Sequence, residues 1–271
     1  MTAVLSKAWA FVVRDFRIES GYKANFIMRV FESLMYLVLF HFLSEMITPH
    51  GGPGLQSVGG RYFPFAIIGL AFARYFDLML KMFSESIRTA QVTGCLEAML
   101  SSQTGAVNIV LMSSFYGLIS GAVQLLVILL MGALAYGVEF GHTNVFATLV
   151  VLATSMMTFV AFGVLSAAAV VWLKRGDPIT WLLSGFGSIV GGAYFPVSVM
   201  PPWLQKIAHL LPTTYSLEAL RLTMLNGYSL QMASKPFLAL ALMACTLLPA
   251  SLALFTAAVR KGRREGTLMH Y

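Results

Sequence analysis

The chain has 271 residues, of which 58% are hydrophobic and 11% are charged. Soluble domains carry roughly 25% charged residues, so this composition excludes an ordinary soluble protein and indicates an integral membrane protein. The formal net charge is +7, but Lys and Arg collect on the cytoplasmic side of membrane proteins, so the positive charge does not indicate a nucleic-acid partner.

The first segment, residues 1–23, has an amphipathic pattern. Trp9 and Phe16 belong to an apolar stripe at helical spacing, and Arg14 and Arg17 lie among the basic residues beside it. This pattern predicts a helix in the cytoplasmic membrane interface, with Trp at headgroup depth. A solvated basic tail that only sets orientation is the alternative.

Six apolar windows follow, each near the ~20 residues that cross a hydrocarbon core of about 30 Å. They are residues 24–47, 62–83, 107–136, 145–173, 179–194 and 236–259. The fifth is short and ends in Gly191-Gly192, so it is the least regular crossing. The predicted fold is an all-α polytopic membrane protein with six transmembrane helices, in a single domain over residues 1–271.

Basic residues near the span ends predict the orientation. They cluster before span one, after span two, between spans four and five, and in the tail at 260–271. The alternate loops hold only Arg61, Lys206, Arg221 and Lys235. Both termini are therefore predicted to be cytoplasmic.

Residues 84–105 are too polar to span a membrane and too regular for an irregular loop. Their apolar spacing predicts two short helices with a break at Thr93-Gly94. Thr93 could cap the second helix, with Glu97 in its first turn, where a carboxylate opposes the helix dipole. Such a helix suits docking to a cytoplasmic partner, although a plain helical connector fits the same residues.

Four charged residues lie within the first two spans, as i, i+3 pairs roughly 8–14 Å from the cytoplasmic ends. Because intramembrane charges are costly and usually face the bundle interior, we predict a cross-helix cluster. In it Arg29 pairs with Asp77, and Glu32 with Arg74. The alternative is that Arg29 snorkels to the interface and Arg74 pairs within its own helix.

The external segment between spans five and six, 194–221, contains four prolines. Pro196 is predicted to end span five, and Pro202 to lie in the first turn of an amphipathic helix, where the N–H groups have no helical partner. Pro212 is predicted to stop that helix.

A second external helix is predicted from about 216 to 226, with Gly227 just beyond its end. On it Glu218 and Arg221 can pair at i, i+3. Together these helices predict a re-entrant external pair that acts as a gate.

The sequence has no phosphate-binding G-x-x-x-x-G-K-[ST], no H-E-x-x-H and no G-x-S-x-G motif. His41 and Glu45 share a helix face without a third ligand, so we predict no metal site. His209, Glu218 and Arg221 could form an acid–base set, but nothing supplies a nucleophile. We therefore predict that the chain is not an enzyme.

The external stretch "FPVSVMPPWLQKIAHLLPTTYSLEALR" resembles the signature of the type-two permease family of ATP-binding-cassette (ABC) exporters. The matching elements are Phe195-Pro196, Pro202-Trp203-Leu204, Pro212-Thr213-Thr214-Tyr215 and Arg221. Pro201 and Thr213 stand where most members have Leu. The resemblance adds Phe195, Trp203 and Tyr215 to the predicted gate.

The stretch "GCLEAMLSSQTG" resembles the family's coupling helix, which docks on the ATPase. The residues carried over are Gly94, Leu96, Glu97 and Leu100, with Arg88 just before them. The family usually has Pro where this chain has Thr104. The stretches "WLKRGDP" and "EGTLMHY" are also similar to family elements, so the resemblance covers nearly the whole chain.

The resemblance implies a permease subunit in a bacterial cytoplasmic membrane, surrounded by lipid and paired with a second copy or a related permease. Two cytoplasmic ATPase subunits would bind ATP and Mg, and this chain would hold no cofactor. The implied function is export of a lipid, glycan, drug or other amphipathic substrate. The alternatives are a proton-coupled secondary transporter using Glu32, Asp77 or Glu45, and an intramembrane lipid-modifying enzyme.

Overall fold

The computed structural model describes residues 9–10, 12–14, 16–17, 21, 23–47, 61–92, 94, 106–113, 115–173 and 177–264. Within these ranges the regular structure is helical and contains no strand, so the predicted all-α class is confirmed.

The described α-helices are named here in chain order. They are α1 Lys23–Ile47, α2 Tyr62–Val92, α3 Ala106–Ser113, α4 Phe115–Tyr136, α5 Val145–Leu173, α6 Pro178–Trp181, α7 Gly187–Val190, α8 Pro202–Ala208, α9 Pro212–Leu225 and α10 Ser234–Arg264. A π-helix, Leu182–Phe186, joins α6 to α7, and a 3-10 turn covers Val197–Val199.

Four of the described helices are long and apolar enough to cross a membrane. They are Tyr62–Val92, Val107–Tyr136, Val145–Trp172 and Ser234–Gly262, and they coincide with predicted spans two, three, four and six. The second of these stretches comprises α3 and α4, on either side of residue 114. Predicted span one is a 25-residue helix, α1, and predicted span five is the helical run from α6 to α7. Because neither is among those four, the count of six spans stays a prediction.

Helix α2 is the centre of the structure. In its most apolar stretch 78% of the residues are buried, against 17% for α10. The Phe159 ring of α5 contacts two α2 rings, with centroid distances of 5.4 Å to Phe72 and 4.5 Å to Phe76. Helices α1, α4, α5 and α9 also pack on α2, and α10 packs along α5. Movement of α2 would therefore change the packing of most of the bundle.

Residues 84–92 are the last turns of α2, so the first of the two short helices predicted for 84–105 is wrong as a separate element. Nothing in that stretch breaks a helix. The predicted break lies where expected, because α2 ends at Val92 and Gly94 has φ +70°. The Gly94 N–H donates to the Gln91 carbonyl at 3.0 Å. The second predicted helix lies outside the described residues.

Candidate functional site

The two predicted external helices are both present, with one boundary different. Helix α8 has Pro202 in its first turn, as predicted. Helix α9 begins at Pro212, so this proline starts the second helix and does not stop the first, which ends at Ala208. The reason is the same at both prolines, since a residue without an N–H fits the first turn. Beyond α9, Gly227 has φ +66°, as expected of a residue past a helix end.

The glycine pair, and not Pro196, ends the fifth predicted span. Helix α7 stops at Val190, Gly191 is its C-cap, and Gly192 turns the chain with φ +84°. The described helical run therefore covers residues 178–190, about 20 Å at 1.5 Å per residue. That is shorter than a hydrocarbon core of about 30 Å, so this run alone does not cross it.

Arg221 holds the turn after α7 against α2. Its Nη1 donates to the Gly192 carbonyl at 2.9 Å, and its Nη2 donates to the carbonyls of Ala193 at 2.9 Å and Phe65 at 3.2 Å. The guanidinium carbon lies 3.3 Å from the centroid of the Phe65 ring. We call Arg221, Phe65, Gly192 and Ala193 the Arg221 clamp. Three separate parts of the chain meet in it.

The predicted Glu218–Arg221 pair is wrong. Arg221 turns inward and is only 5% exposed, whereas Glu218 lies on the exposed side of α9. An i, i+3 spacing brings two positions near each other, but it does not say which of them faces the core. The guanidinium of Arg221 binds the carbonyls of the glycine turn, Gly192 and Ala193, and not the carboxylate of Glu218.

The clamp is a charged group surrounded by neutral acceptors. Burial lowers the pKa of the Arg221 guanidinium to about 9, although the nearby Tyr62 hydroxyl acts in the opposite direction. The group still carries its proton at neutral pH, so its hydrogen bonds to the carbonyls are charge-assisted. Next to the clamp, the Tyr62 hydroxyl donates to the Tyr194 carbonyl at 2.9 Å. The beginning of α2 is thus tied twice to residues 192–194.

Gly69 makes this close approach possible. A Cβ atom at this position would lie 1.7 Å from the Ala193 carbonyl oxygen and 2.7 Å from Arg221 Nη2. Only a residue without a side chain fits there. This role of Gly69 was not predicted, although a single glycine inside the bulky run "FPFAIIGLAFARYF" was a signal for it.

The other predicted gate residues lie outside the clamp. The Tyr215 hydroxyl donates to the His209 carbonyl at 2.9 Å, which joins α9 to the end of α8. Trp203 and Phe195 are both exposed, so they offer aromatic surface on the outer side of this segment. The external segment therefore has a buried polar layer and an exposed aromatic layer.

One of the two predicted intramembrane ion pairs is present. Arg74 Nη2 lies 2.6 Å from Glu32 Oε1, and its guanidinium carbon lies 4.5 Å from the centroid of the Tyr36 ring. Asp77 binds Lys81 at 2.7 Å, one turn further along α2, and accepts a hydrogen bond from Ser184. The Arg29 side chain lies outside the described residues, so its pairing with Asp77 stays a prediction.

A second carboxylate, Asp177, organises the start of α6, and the sequence analysis missed it. The Thr180 N–H donates to Asp177 Oδ1 at 3.0 Å, and the Ser166 hydroxyl donates to the same oxygen. Burial favours a higher pKa for Asp177, but hydrogen bonds from Ser166, Ser84 and Thr180 hold it below its usual value. The sequence Asp177-Pro178 was itself a helix-start signal, because Asp caps helices and Pro suits their first position.

The predicted coupling and interface residues are only partly described. Gly94 follows α2, and Arg88 is exposed on its last turns, while Leu96, Glu97 and Leu100 lie outside the described residues. The described residues of the first segment are helical, including Trp9, Arg14, Phe16 and Arg17. The Phe16 ring contacts Tyr116, with a centroid distance of 6.4 Å. Attachment of this segment to a membrane surface stays a prediction.

The described residues do not assemble a catalytic or metal site from the sequence candidates. Among them, no group of three or more His, Cys, Asp or Glu side chains could hold a metal ion. His41 packs between aromatic rings, 4.6 Å from Tyr136 and 5.5 Å from Phe63 by ring centroids. The set His209, Glu218 and Arg221 is not brought together, because Arg221 is committed to the clamp.

A bundle of apolar helices that packs against a short helical run and carries the tied helix pair α8–α9 defines a polytopic membrane protein. Residues 6–225 match the ABC-2 type transporter family. The chain therefore belongs to that family and is a permease subunit of an ABC-2 type transporter. No curated protein matches the chain.

Proposed function

We propose that the chain is the membrane subunit of an ATP-driven exporter, in which two permease copies form the path for an amphipathic substrate. Two cytoplasmic ATPase subunits bind ATP and Mg, and both termini of the permease face them from the cytoplasmic side of a bacterial inner membrane. Family membership supports the pairing with an ABC ATPase. The lack of a phosphate-binding motif in the sequence supports the same division of labour.

The observation that carries the proposal is the length and placement of α2. Its 31 residues extend about 46 Å, roughly 16 Å more than the hydrocarbon core. The excess lets the end that leads to Gly94 project toward the ATPase. At its other end, α2 contacts the external segment through Phe65 and Tyr62. One rigid helix therefore joins the proposed docking region to the proposed gate.

In this mechanism the ATPase docks on residues 94–100, with Glu97 and nearby Arg88 at the contact. Closure of the ATPase pair around ATP moves the docking region, and α2 carries the displacement across the membrane. Because Arg221 binds both Phe65 and the turn after α7, the external helices move with α2. The substrate path then opens on the outer side, as expected of a two-state element biased by a ligand on another subunit.

The exposed face of α1 supports assembly of two copies. Helix α1 contacts the bundle through the narrow stripe Ser33, Leu37, Phe40 and Ser44. Its remaining face bears exposed apolar residues and Glu32, whose side chain is 52% exposed while paired with Arg74. Charged groups inside a membrane usually face protein or water and not lipid. We therefore assign this face to the second copy and to the path between the copies.

The proposal predicts that Glu97→Ala separates the permease from its ATPase. Loss of one interface hot-spot residue should weaken the complex at least about tenfold. The measurement is ATPase retained by the tagged permease after co-expression, together with permease-dependent ATP hydrolysis. Glu85→Ala is the matched control, because Glu85 is an exposed carboxylate on α2 just before the docking region. Transport by the chain without any ATPase would refute the proposal.

A further inference from the structure

The last turns of α10 carry a groove that the proposed export mechanism does not use. Its volume is about 810 Å³, and the described residues that line it are Leu252, Ala253, Thr256, Ala257, Arg260, Lys261 and Arg264. Their spacing of three and four residues puts them on one face of the helix. From residue 252 to residue 264 this face is about 18 Å long.

The chemistry of the groove changes along its length. Ala253 and Ala257 are small and exposed, so the first part is a shallow apolar channel. Three cations follow at the end of the helix: Arg260, Lys261 and Arg264, all of them exposed. The Lys261 ammonium lies 5.4 Å from the centroid of the Trp172 ring, at the end of α5. Since Trp concentrates at the membrane–water interface, this contact marks the depth of the lipid headgroups.

We infer that this groove binds a phospholipid with a net negative headgroup, from the leaflet at the C-terminal end of α10. The three cations bind the headgroup, and one acyl chain lies along Ala257 and Ala253. Charge complementarity selects this occupant. A second copy of the chain is a poor occupant, because the same face of it would add three positive charges. A zwitterionic lipid is also a poor occupant, because it carries no net charge to match the three cations. In the orientation proposed above, the leaflet is the cytoplasmic one.

The test uses the full chain in phosphatidylcholine vesicles that contain phosphatidylglycerol, without any ATPase. Electron paramagnetic resonance of spin-labelled phosphatidylglycerol and phosphatidylcholine gives the relative association of the two lipids with the protein. One basic residue near an anionic surface contributes a factor of about five, so K261Q should lower the preference for phosphatidylglycerol by about that factor. R260Q/K261Q/R264Q should lower it by more than about tenfold.

The matched control is R61Q/K206Q/K235Q, which removes the same charge from the other end of the spans. It should change the preference by less than about twofold, because these three residues lie on three separate elements and do not form one site for a single headgroup. An equal loss in this control, or no loss in the triple variant, would overturn the inference. So would a chain ending at Arg264 that binds phosphatidylglycerol when the full chain does not, because the last seven residues would then occupy the groove. Since no ATPase is present, these results are independent of the test of export.

Discussion

The first turns of α2 and its middle carry different kinds of polar contact. At the first turns one buried cation, Arg221, binds three neutral carbonyls, one of them from α2. In the middle of the helix, Arg74 pairs with Glu32 of α1, and Lys81 pairs with Asp77 within α2 itself. All four of these side chains are between 27% and 52% exposed. The buried contact joins one side chain of α9 to backbone atoms of two other segments, whereas the exposed contacts join side chains that can separate.

This difference indicates which part of α2 is held firmly to its neighbours and which part can change its contacts. Removing one partner from a buried charged contact leaves polar groups without water or protein, and that is strongly unfavourable. Exposed ion pairs can exchange their partners for water at little cost. We therefore expect the first turns of α2 to move as one body with α8 and α9, while the contacts at Glu32 and Asp77 break and re-form during transport.

The largest effect is expected from Arg221→Met. The substitution keeps much of the side-chain volume but removes the charged donor that three buried carbonyls share, so it should lower the free energy of unfolding by about 3–5 kcal/mol. The measurement is unfolding of the detergent-solubilised chain in a titration with sodium dodecyl sulphate. Glu218→Gln, on the exposed side of the same helix, should change stability by less than about 0.5 kcal/mol. If the two variants were equally stable, the buried contact of Arg221 would not hold α2 more firmly than the exposed contacts do.

Gly69→Ala tests the same outer contact from the side of α2. Because the new Cβ would overlap the Ala193 carbonyl oxygen, we expect a loss of about 2–3 kcal/mol, as in an overpacked core. The melting temperature in detergent measures the change. Gly185→Ala is the control, since a Cβ at that position meets no atom within 4 Å. If the two alanine variants melted together, residues 191–193 would not be held closely against α2.

Asp177→Ala should have an intermediate effect, about 1–2 kcal/mol, because it removes a helix cap. Asp177→Asn keeps a capping side chain but cannot ionise, so it isolates the contribution of the charge. The folded pKa of Asp177 is lowered, so the unfolded chain takes up the proton first as the pH falls. The free energy of unfolding of the wild type should exceed that of Asp177→Asn by its full amount at pH 7, and this difference should decrease below about pH 4. A difference in free energy of unfolding that does not depend on pH would show that the charge of Asp177 is not involved.

The smallest effect is expected at the exposed ion pair. Glu32→Gln and Arg74→Gln should each cost about 0.5–1 kcal/mol. The charge swap E32R/R74E should recover most of the loss, because the two side chains still face each other with opposite charges. Sodium dodecyl sulphate titration of the wild type and the three variants compares their free energies of unfolding. If the charge-swapped protein were less stable than either single variant, the contribution of these residues to stability would come from their local surroundings and not from the ion pair.

The sequence predicted contacts that depend on spacing along a helix or on backbone chemistry. The break at Gly94, the place of Pro202 in the first turn of a helix and the turn at Gly227 all follow from local rules. Glu32 and Arg74 were predicted to meet because both lie at one depth on neighbouring spans, and that needed only the positions of the span ends.

The sequence could not predict contacts that depend on how helices rotate and how closely they approach. Arg221 was paired with Glu218 because the two are near in sequence, but its partners are the carbonyls of Phe65, Gly192 and Ala193. The importance of Gly69 follows from the distance between two backbones, which no local pattern records. Asp177 is different, because its capping role was visible in the sequence and was missed.

The Arg221 clamp also has a consequence for the order in which the protein is made. Arg221 binds a carbonyl that lies 156 residues earlier in the chain. A chain emerging from the ribosome therefore holds α1 to α8 before it contains the residue that fastens them, and domains generally assemble from the N-terminus during synthesis. Until Arg221 arrives, the carbonyls of the glycine turn have no guanidinium to bind. The Arg221 clamp at the first turns of α2 therefore forms late in biogenesis. A nascent chain that stops before Arg221 lacks it.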